Sequence, residues 1–230
     1  MTPPKATALR APLHGLIAVT PPELCADNSR LMAYGEAVMH SGARLLRYHD
    51  ERLNADIRRR LAAMLVSLSR HFGTGLLIDD DIELARALGA DGVYLDRESA
   101  PIAEARAALG AAAVIGCSCG MDLERARRAA VAGADYVNFG PCFPAASATD
   151  GAAASLKVIE RARQELAVPI AVSGGIRPDN APPLLAAGAA LLATAGGVFE
   201  QTDVVGVAAA ADRYVALFPG DNATERTLPA

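Results

Sequence analysis

The chain has 230 residues, of which 52% are hydrophobic and 21% charged, which is enough to bury the core of one larger domain. Its net charge of −4 excludes a general attraction to nucleic acid or to anionic lipid. No apolar run reaches the roughly 18 residues that cross a membrane, and the first dozen residues lack the apolar centre of a secretory signal. We therefore expect a cytoplasmic protein with no membrane and no nucleic-acid partner.

One pattern recurs along the chain: a helix-like segment ends in Gly-Ala, and a short apolar run follows, as at Gly42-Ala43, Gly89-Ala90, Gly133-Ala134 and Gly188-Ala189. A glycine just past a helix end adopts the left-handed conformation that closes the helix. Short apolar runs are typical of strands buried on both faces. The predicted strands are 15–19, 44–48, 75–79, 92–95, 113–117, 136–139, 169–172 and 190–194.

Each predicted strand is followed by a helix-like segment, the last near 204–217. Strands that alternate with helices form a parallel sheet, and eight such units close into a barrel. The fold class is thus α/β, a single (β/α)8 barrel over residues 13–218, with an N-terminal extension at 1–12 and a flexible tail at 219–230. An open doubly wound sheet is the alternative, but the chain lacks an early Gly-rich dinucleotide motif.

A helix is predicted to begin after Asn54, which is its expected N-cap. The three consecutive arginines at 58–60 are expected on the solvated outer face of this helix. The four cysteines are not spaced like a disulfide framework, which fits a reducing compartment. Cys117 and Cys119 fall on one side of a predicted strand. A metal pair there is conceivable, but two small buried core residues are the favoured interpretation.

The last two predicted strands end in glycine pairs, within Ser173-Gly174-Gly175 and Gly196-Gly197. Glycines leave backbone N–H groups unobstructed, and a following helix N-terminus adds partial positive charge. In (β/α)8 barrels these two loops form the usual phosphate site. The sequence therefore predicts a small phosphorylated substrate at these loops, although the same glycines would also suit tight turns.

Polar residues end two further strands. Asp79-Asp80-Asp81 follows the third strand, where an acid beside a phosphate suggests a Mg²⁺ ligand, while Asp81 is expected to cap the next helix. Arg47 and His49 share one side of the second strand, and His49 is a candidate general acid or base. Ser118 ends the fifth strand.

Several stretches, in this order and spacing, resemble the thiamine-phosphate synthase and thiazole tautomerase superfamily from about Leu13 to Phe199. They are Gly15–Thr20, Leu88–Leu95, Ile115–Cys119, Ala134–Pro141 and Ser173–Asn180. The resemblance implies that a hydroxymethylpyrimidine diphosphate and a thiazole phosphate are joined to thiamine phosphate, with release of pyrophosphate. It also implies that the thiazole phosphate sits on the two glycine loops, that Asp80 binds Mg²⁺, and that Ser118 contacts pyrophosphate.

The chain departs from the family pattern on strand two, where Gln-x-Arg-x-Lys is replaced by Arg47, His49 and Glu51. The family's asparagine before the metal-binding aspartate is here Asp79. Several residues that the resemblance assigns to pyrophosphate binding are therefore replaced. At Glu51 an acid replaces a lysine that should face pyrophosphate.

Other family positions also differ. A second metal-binding aspartate aligns with Ser99, a Thr-Lys pair aligns with Ser147-Ala148, and the histidine of the tautomerase branch aligns with Gly120. Arg47 and Arg97 restore part of the positive field only if both point inward.

Three functions remain open from the sequence. The first is a divergent thiamine-phosphate synthase that uses Mg²⁺. The second is another enzyme on the same phosphate site, such as a thiazole-phosphate isomerase that uses His49 or Asp79. The third is a non-catalytic binder of thiazole phosphate or thiamine phosphate. The sequence leaves open whether the chain forms a homo-oligomer, and fold alone does not choose among these functions.

Overall fold

We describe the protein from a computed structural model, which covers residues 13–50, 52–96, 101–143 and 150–218, with the backbone alone for 150–154. The predicted extension at 1–12 and tail at 219–230 lie outside the described residues. So do five positions at which the chain departs from the family pattern or compensates for it: Glu51, Arg97, Ser99, Ser147 and Ala148.

The eight predicted strands are all present, and every neighbouring pair is parallel. They close into one barrel in chain order, because the first strand pairs with the last through Gly15 and Leu191. The fold prediction is therefore confirmed, and the open sheet is wrong. The strands are β1 Gly15–Val19, β2 Leu45–Tyr48, β3 Gly75–Asp79, β4 Gly92–Leu95, β5 Val114–Gly120, β6 Tyr136–Phe139, β7 Ile170–Ser173 and β8 Leu191–Thr194.

Helices surround the barrel. They are α1 Pro22–Cys25, α2 Asn28–Ser41, α3 Ala55–Phe72, α4 Ile82–Leu88, α5 Ile102–Leu109, α6 Leu123–Val131, α7 Asp150–Glu165, α8 Pro182–Ala187, α9 Gly196–Phe199 and α10 Val204–Val215. Across the described ranges, none of these helices combines the length and the apolar character that crossing a bilayer requires.

The helix boundaries follow from local sequence chemistry. The side chain of Asn54 accepts a hydrogen bond from the Ile57 N–H, and that of Asp81 accepts one from the Leu84 N–H, so both residues are the predicted N-caps. After α2, Gly42 has φ 102°, which is the left-handed conformation that the Gly-Ala pattern predicted.

The barrel interior is filled from alternate residues of the strands, and two tyrosines are the aromatic members of this inner cluster. Tyr136 of β6 packs over Gly116 of β5, where a Cβ atom would overlap the tyrosine ring. Tyr94 of β4 stacks on Tyr136 with ring centroids 6.3 Å apart. These rings close the barrel below its C-terminal mouth, so any ligand in the mouth rests above them.

The four cysteines are buried and unpaired. Cys117 and Cys119 belong to the core between the strands and the helices, which agrees with the interpretation as core residues. No group of three or more metal-binding side chains occurs among the described residues.

Candidate functional site

A cleft of about 890 Å³ opens at the C-terminal ends of β7 and β8. Its walls include all six residues that the sequence predicted to bind substrate or phosphate. They are Arg47, Ser173, Gly174, Gly175, Gly196 and Gly197. The structure therefore brings the strand-two arginine and both glycine pairs to one place, although they are separated by up to 150 residues of sequence.

The glycines after β7 are required by the approach of the loop after β6. Gly174 has φ +87°, and a Cβ atom there would overlap Pro141. A Cβ on Gly175 would lie 2.5 Å from the carbonyl oxygen of Phe143. The two loops are joined by hydrogen bonds from the Cys142 N–H to the Ser173 carbonyl and from the Phe143 N–H to the Gly174 carbonyl. This wall of the cleft is thus fixed by packing before any ligand arrives.

The second glycine pair, at the start of α9, has a different environment. A Cβ on Gly197 would overlap the hydroxyl of Tyr214, which donates a hydrogen bond of 2.8 Å to the Ile176 carbonyl. The nearest atoms to a Cβ on Gly196 would belong to the carboxylate of Glu200, the end of an exposed side chain. Gly196 is therefore the one of the four glycines whose replacement the fold accommodates most easily.

Charged side chains on the cleft wall were not predicted as a group. Arg177 and Arg213 contribute positive charge, and Asp179 and Glu200 contribute negative charge. Arg177 Nε lies 3.4 Å from Asp179 Oδ1, whereas no ion pair of Arg213 occurs in the described part of the chain. Arg213 lies on α10, the helix after the last strand, so reading strand ends alone could not find it.

Arg47 and Asp79 form a bidentate ion pair at the mouth of the barrel. Arg47 Nε donates to Asp79 Oδ1 at 3.1 Å, and Arg47 Nη2 donates to Asp79 Oδ2 at 2.5 Å. The guanidinium also stacks on Tyr94, with its carbon 3.3 Å from the ring centroid. Burial raises the pKa of Asp79, but the Arg47 charge and the hydrogen bonds from His49 and Arg47 outweigh burial and lower it.

His49 is the third member of this cluster. Its Nδ1 atom lies 3.1 Å from Asp79 Oδ2, and its side chain is 33% exposed. Its backbone is tied to Thr20, whose hydroxyl accepts from the His49 N–H at 2.9 Å. Two of the residues predicted as catalytic, His49 and Asp79, are therefore in contact with each other.

Ser118, the third residue predicted as catalytic, lies across the mouth on β5. Its side chain forms a hydrogen bond with that of Tyr94. Burial raises the pKa of Tyr94, because it outweighs the opposing effects of the Arg47 charge and of this hydrogen bond. Asn138 of β6 is beside Ser118 in the sheet register and donates from Nδ2 to Ser173 Oγ at 2.9 Å. Sequence reasoning missed Asn138, although it follows Tyr136 on the inward side of the strand.

Asp80, the predicted Mg²⁺ ligand, has φ 52°, a conformation that is uncommon for a residue with a side chain. Its N–H donates to the Tyr94 carbonyl at 2.9 Å, and its Oδ1 accepts from the Asp96 N–H at 2.9 Å. Strain of this kind concentrates at functional sites. Asp80 is exposed, so its carboxylate faces solvent at the mouth.

Arg58 supports the acidic loop from outside the barrel. Its Nη1 donates to Asp81 Oδ2 at 2.7 Å, and its Nη2 donates to the Asp79 carbonyl at 3.0 Å. The expectation that the arginine triplet forms a solvated face is therefore wrong for Arg58, and it holds for the exposed Arg59 and Arg60. Because Arg58 and Asp81 are far apart in the sequence, no local pattern indicates that they form an ion pair.

The carboxylates at the mouth of the barrel suit Mg²⁺ only when the substrate supplies further ligands. Asp80 supplies one carboxylate, while both oxygens of Asp79 are engaged by Arg47 and His49. Protein Mg²⁺ sites often consist of one or two carboxylates plus substrate phosphates and water. The residues described at the mouth therefore suit an ion that arrives with a diphosphate, and not an ion held by the protein alone.

Comparisons with known proteins agree with this architecture. A thiamine-phosphate synthase of Methylobacillus flagellatus is 44% identical over 193 residues, which cover 84% of this chain and 91% of the relative. A thiamine-phosphate synthase of an Azoarcus species is 45% identical over 90% of this chain and 98% of its own. The solved thiamine phosphate pyrophosphorylase of Pyrococcus furiosus superposes with a TM-score of 0.73 at 26% identity, covering 87% of this chain and 93% of that one.

None of these relatives is described as an isomerase or a tautomerase. The family model described as thiamine monophosphate synthase matches residues 16–198, which include β2 to β8 and all but the first residue of β1. The chain therefore belongs to the thiamine monophosphate synthase family.

Proposed function

We propose that this protein is a thiamine-phosphate synthase, which joins a hydroxymethylpyrimidine diphosphate to a thiazole phosphate and releases pyrophosphate. The observation that carries the proposal is the 44% identity to a synthase over 91% of that enzyme's length. The cleft supports it, because the residues assigned to the thiazole phosphate line one continuous surface.

In this proposal the phosphate of the thiazole lies between the loops after β7 and β8. Backbone N–H groups of the glycine pairs at 174–175 and 196–197 bind it, since these residues have no side chain of their own to hinder the approach of an anion. Arg213 supplies a positive charge, and Glu200 opposes it. The thiazole nitrogen then points toward the centre of the mouth, where the pyrimidine binds.

The pyrimidine diphosphate occupies the mouth between β2, β3 and β5. Its C–O bond breaks with both electrons going to pyrophosphate, and the thiazole nitrogen forms the new C–N bond. Ser118 contacts the pyrophosphate, and Asp80 would hold Mg²⁺, which would supply positive charge to stabilise the leaving diphosphate. Asp79 is ionised and bound to Arg47, so we assign it an orienting role toward Arg47 and His49 and not that of a base.

The setting of this chemistry follows from composition. Four free, buried thiols suit a reducing compartment, and we propose that the protein works in the cytoplasm.

The test is incubation of the purified protein with both substrates and Mg²⁺, followed by chromatography for thiamine phosphate and an enzymatic assay for pyrophosphate. We expect the two products in equal amounts, and neither when one substrate is omitted or Mg²⁺ is chelated. Tight binding of thiazole phosphate without product would instead identify a non-catalytic binder. Conversion of thiazole phosphate alone would identify an isomerase.

A further inference from the structure

Asn138 carries a buried oxygen that the folded chain does not use. The residue is 4% exposed on the inward side of β6, and its Nδ2 donates to Ser173 Oγ. Its Oδ1 atom is buried and has no hydrogen-bond partner within the described residues. A buried acceptor without a donor costs free energy, and such groups in native proteins call for an explanation.

The surroundings of Asn138 place this oxygen at the mouth. Tyr136, two residues earlier on the same side of β6, fills the layer below and packs over Gly116. The neighbour of Asn138 on β5 is Ser118, and its hydrogen-bond partner Ser173 lines the cleft. The carboxamide thus lies between the candidate pyrophosphate contact and the phosphate-binding loop.

Several other acceptors at the mouth are already engaged. Asp79 accepts from Arg47 and lies within hydrogen-bond distance of His49, Ser173 Oγ accepts from Asn138, and Ser118 is bonded to Tyr94. The β2–β3 side of the mouth carries paired charge, whereas the β5–β7 side carries neutral polar groups. A ligand that offers a neutral N–H donor therefore finds its matching acceptor on the β6 side.

We infer that Asn138 accepts a hydrogen bond from the amino group of the pyrimidine substrate and is thereby a specificity-determining residue. The inference rests on the proposed function. The thiazole phosphate has no N–H group, and the diphosphate presents acceptor oxygens that a carbonyl oxygen repels. The amino group of the pyrimidine is the N–H donor that the two substrates provide.

The chemistry of the reaction makes this contact stronger as the C–O bond breaks. Positive charge that develops at the departing carbon spreads through the ring to the amino nitrogen, so its N–H becomes a better donor. An interaction that strengthens on the way to the transition state raises kcat more than it lowers KM. Loss of the Asn138 oxygen should accordingly reduce kcat more than it raises KM.

The experiment compares the natural pyrimidine diphosphate with an analogue in which hydrogen replaces the amino group. For each protein, kcat/KM for the natural substrate is divided by kcat/KM for the analogue. The intrinsic electronic effect of the amine is the same in every such ratio, so it cancels when the ratios of two proteins are compared. We expect Asn138→Ala to lower this ratio by about 10- to 100-fold, the range for one hydrogen bond lost from a buried site. Ser173→Ala breaks the Asn138 Nδ2 bond but leaves Oδ1, so it should keep the ratio within about threefold of the natural protein.

Asn138→Leu provides a second variant of similar size. Because it removes an unpaired buried oxygen, we expect its melting temperature to equal or exceed that of the natural protein while the substrate ratio falls as in Asn138→Ala. A ratio unchanged in both variants would overturn the inference and leave the proposed function intact. If the natural protein forms product from neither pyrimidine, the proposed function fails and the inference falls with it.

Discussion

Arg47 and Asp79 form a two-bond ion pair between adjacent strands, at positions where the family pattern has glutamine and asparagine. The two departures are therefore one coupled exchange of an amide pair for an ion pair. The negative charge of Asp79 is thus neutralised within the protein, and Arg47 is correspondingly less available to the substrate.

This coupling can be measured with Arg47→Gln, Asp79→Asn and the double variant. Each single change leaves one buried charge without its partner, and we expect a loss of about 3–5 kcal/mol in the free energy of unfolding. The double variant should lose less than either single change. Urea unfolding of the four proteins gives the coupling energy, and additive losses would contradict the pairing.

The lowered pKa of Asp79 predicts a specific acid sensitivity. Above the unfolded pKa of about 4, Asp79 is ionised in both states and its stabilisation is complete. As pH falls below about 4, the unfolded chain binds a proton that the folded protein does not, so stability is lost until pH passes the folded pKa. Between about pH 4 and pH 2, unfolding of Asp79→Asn should therefore depend less on pH than that of the natural protein. Equal slopes would argue against an ionised, paired Asp79.

The phosphate loops can be tested at Gly196, where a larger residue does not disturb the packing of the fold. In Gly196→Ala the methyl group meets the exposed Glu200 carboxylate, which can move, so we expect stability within about 1 kcal/mol of the natural protein. Affinity for thiazole phosphate, measured by calorimetry, should fall about tenfold because Glu200 is pushed along the anion site. Unchanged affinity would argue against this site.

Gly174→Ala is the matched comparison. Its φ of +87° and the contact with Pro141 require the backbone to shift. We expect it to lower the free energy of unfolding by about 1–3 kcal/mol, so its binding defect alone would not identify a phosphate site. Thermal unfolding of the two variants side by side separates the two causes.

Glu200 is a negatively charged residue of the cleft wall beside the loop after β8, so Glu200→Gln should tighten thiazole phosphate binding. We expect about 3- to 10-fold at low salt, since the side chain is exposed and its field is screened. Glu160→Gln, an exposed acid of α7 that is absent from the cleft, is the control and should change nothing. An equal effect of both variants would indicate a general charge effect.

The sequence predicts the fold well because each βα unit has local signals. The Gly-Ala pattern, the apolar runs and the caps at Asn54 and Asp81 lie within a few residues of the boundaries that they set. The extension of β5 to Gly120 was missed, since Cys117–Gly120 contains small residues that have no strong strand signal.

The site was predictable in its location but not in its contacts. Arg47 and Asp79 were assigned separate roles, although both face inward at the ends of adjacent strands, and this register was the signal that could have paired them. The sequence predicts that the glycine pairs bind phosphate or permit tight turns, whereas the structure shows that Gly174, Gly175 and Gly197 are also required by the close approach of Pro141, Phe143 and Tyr214. Such approaches between distant loops depend on the closed barrel and cannot be read from one segment.

The family pattern has two lysines at positions where this chain has Glu51 and Ala148. Both residues lie outside the described part of the structure. Pyrophosphate carries several negative charges, and each unit-charge interaction in a partly screened site is worth about 1–4 kcal/mol. The natural protein should therefore release pyrophosphate more slowly than members with both lysines, and Glu51→Lys combined with Ala148→Lys should accelerate release by about tenfold or more. Glu160→Lys, which adds positive charge away from the cleft, is the control. If the double variant gains nothing over that control, or the natural protein already turns over as fast as its lysine-containing relatives, the paired Arg47 and the β5–β7 side of the mouth suffice to hold the leaving group.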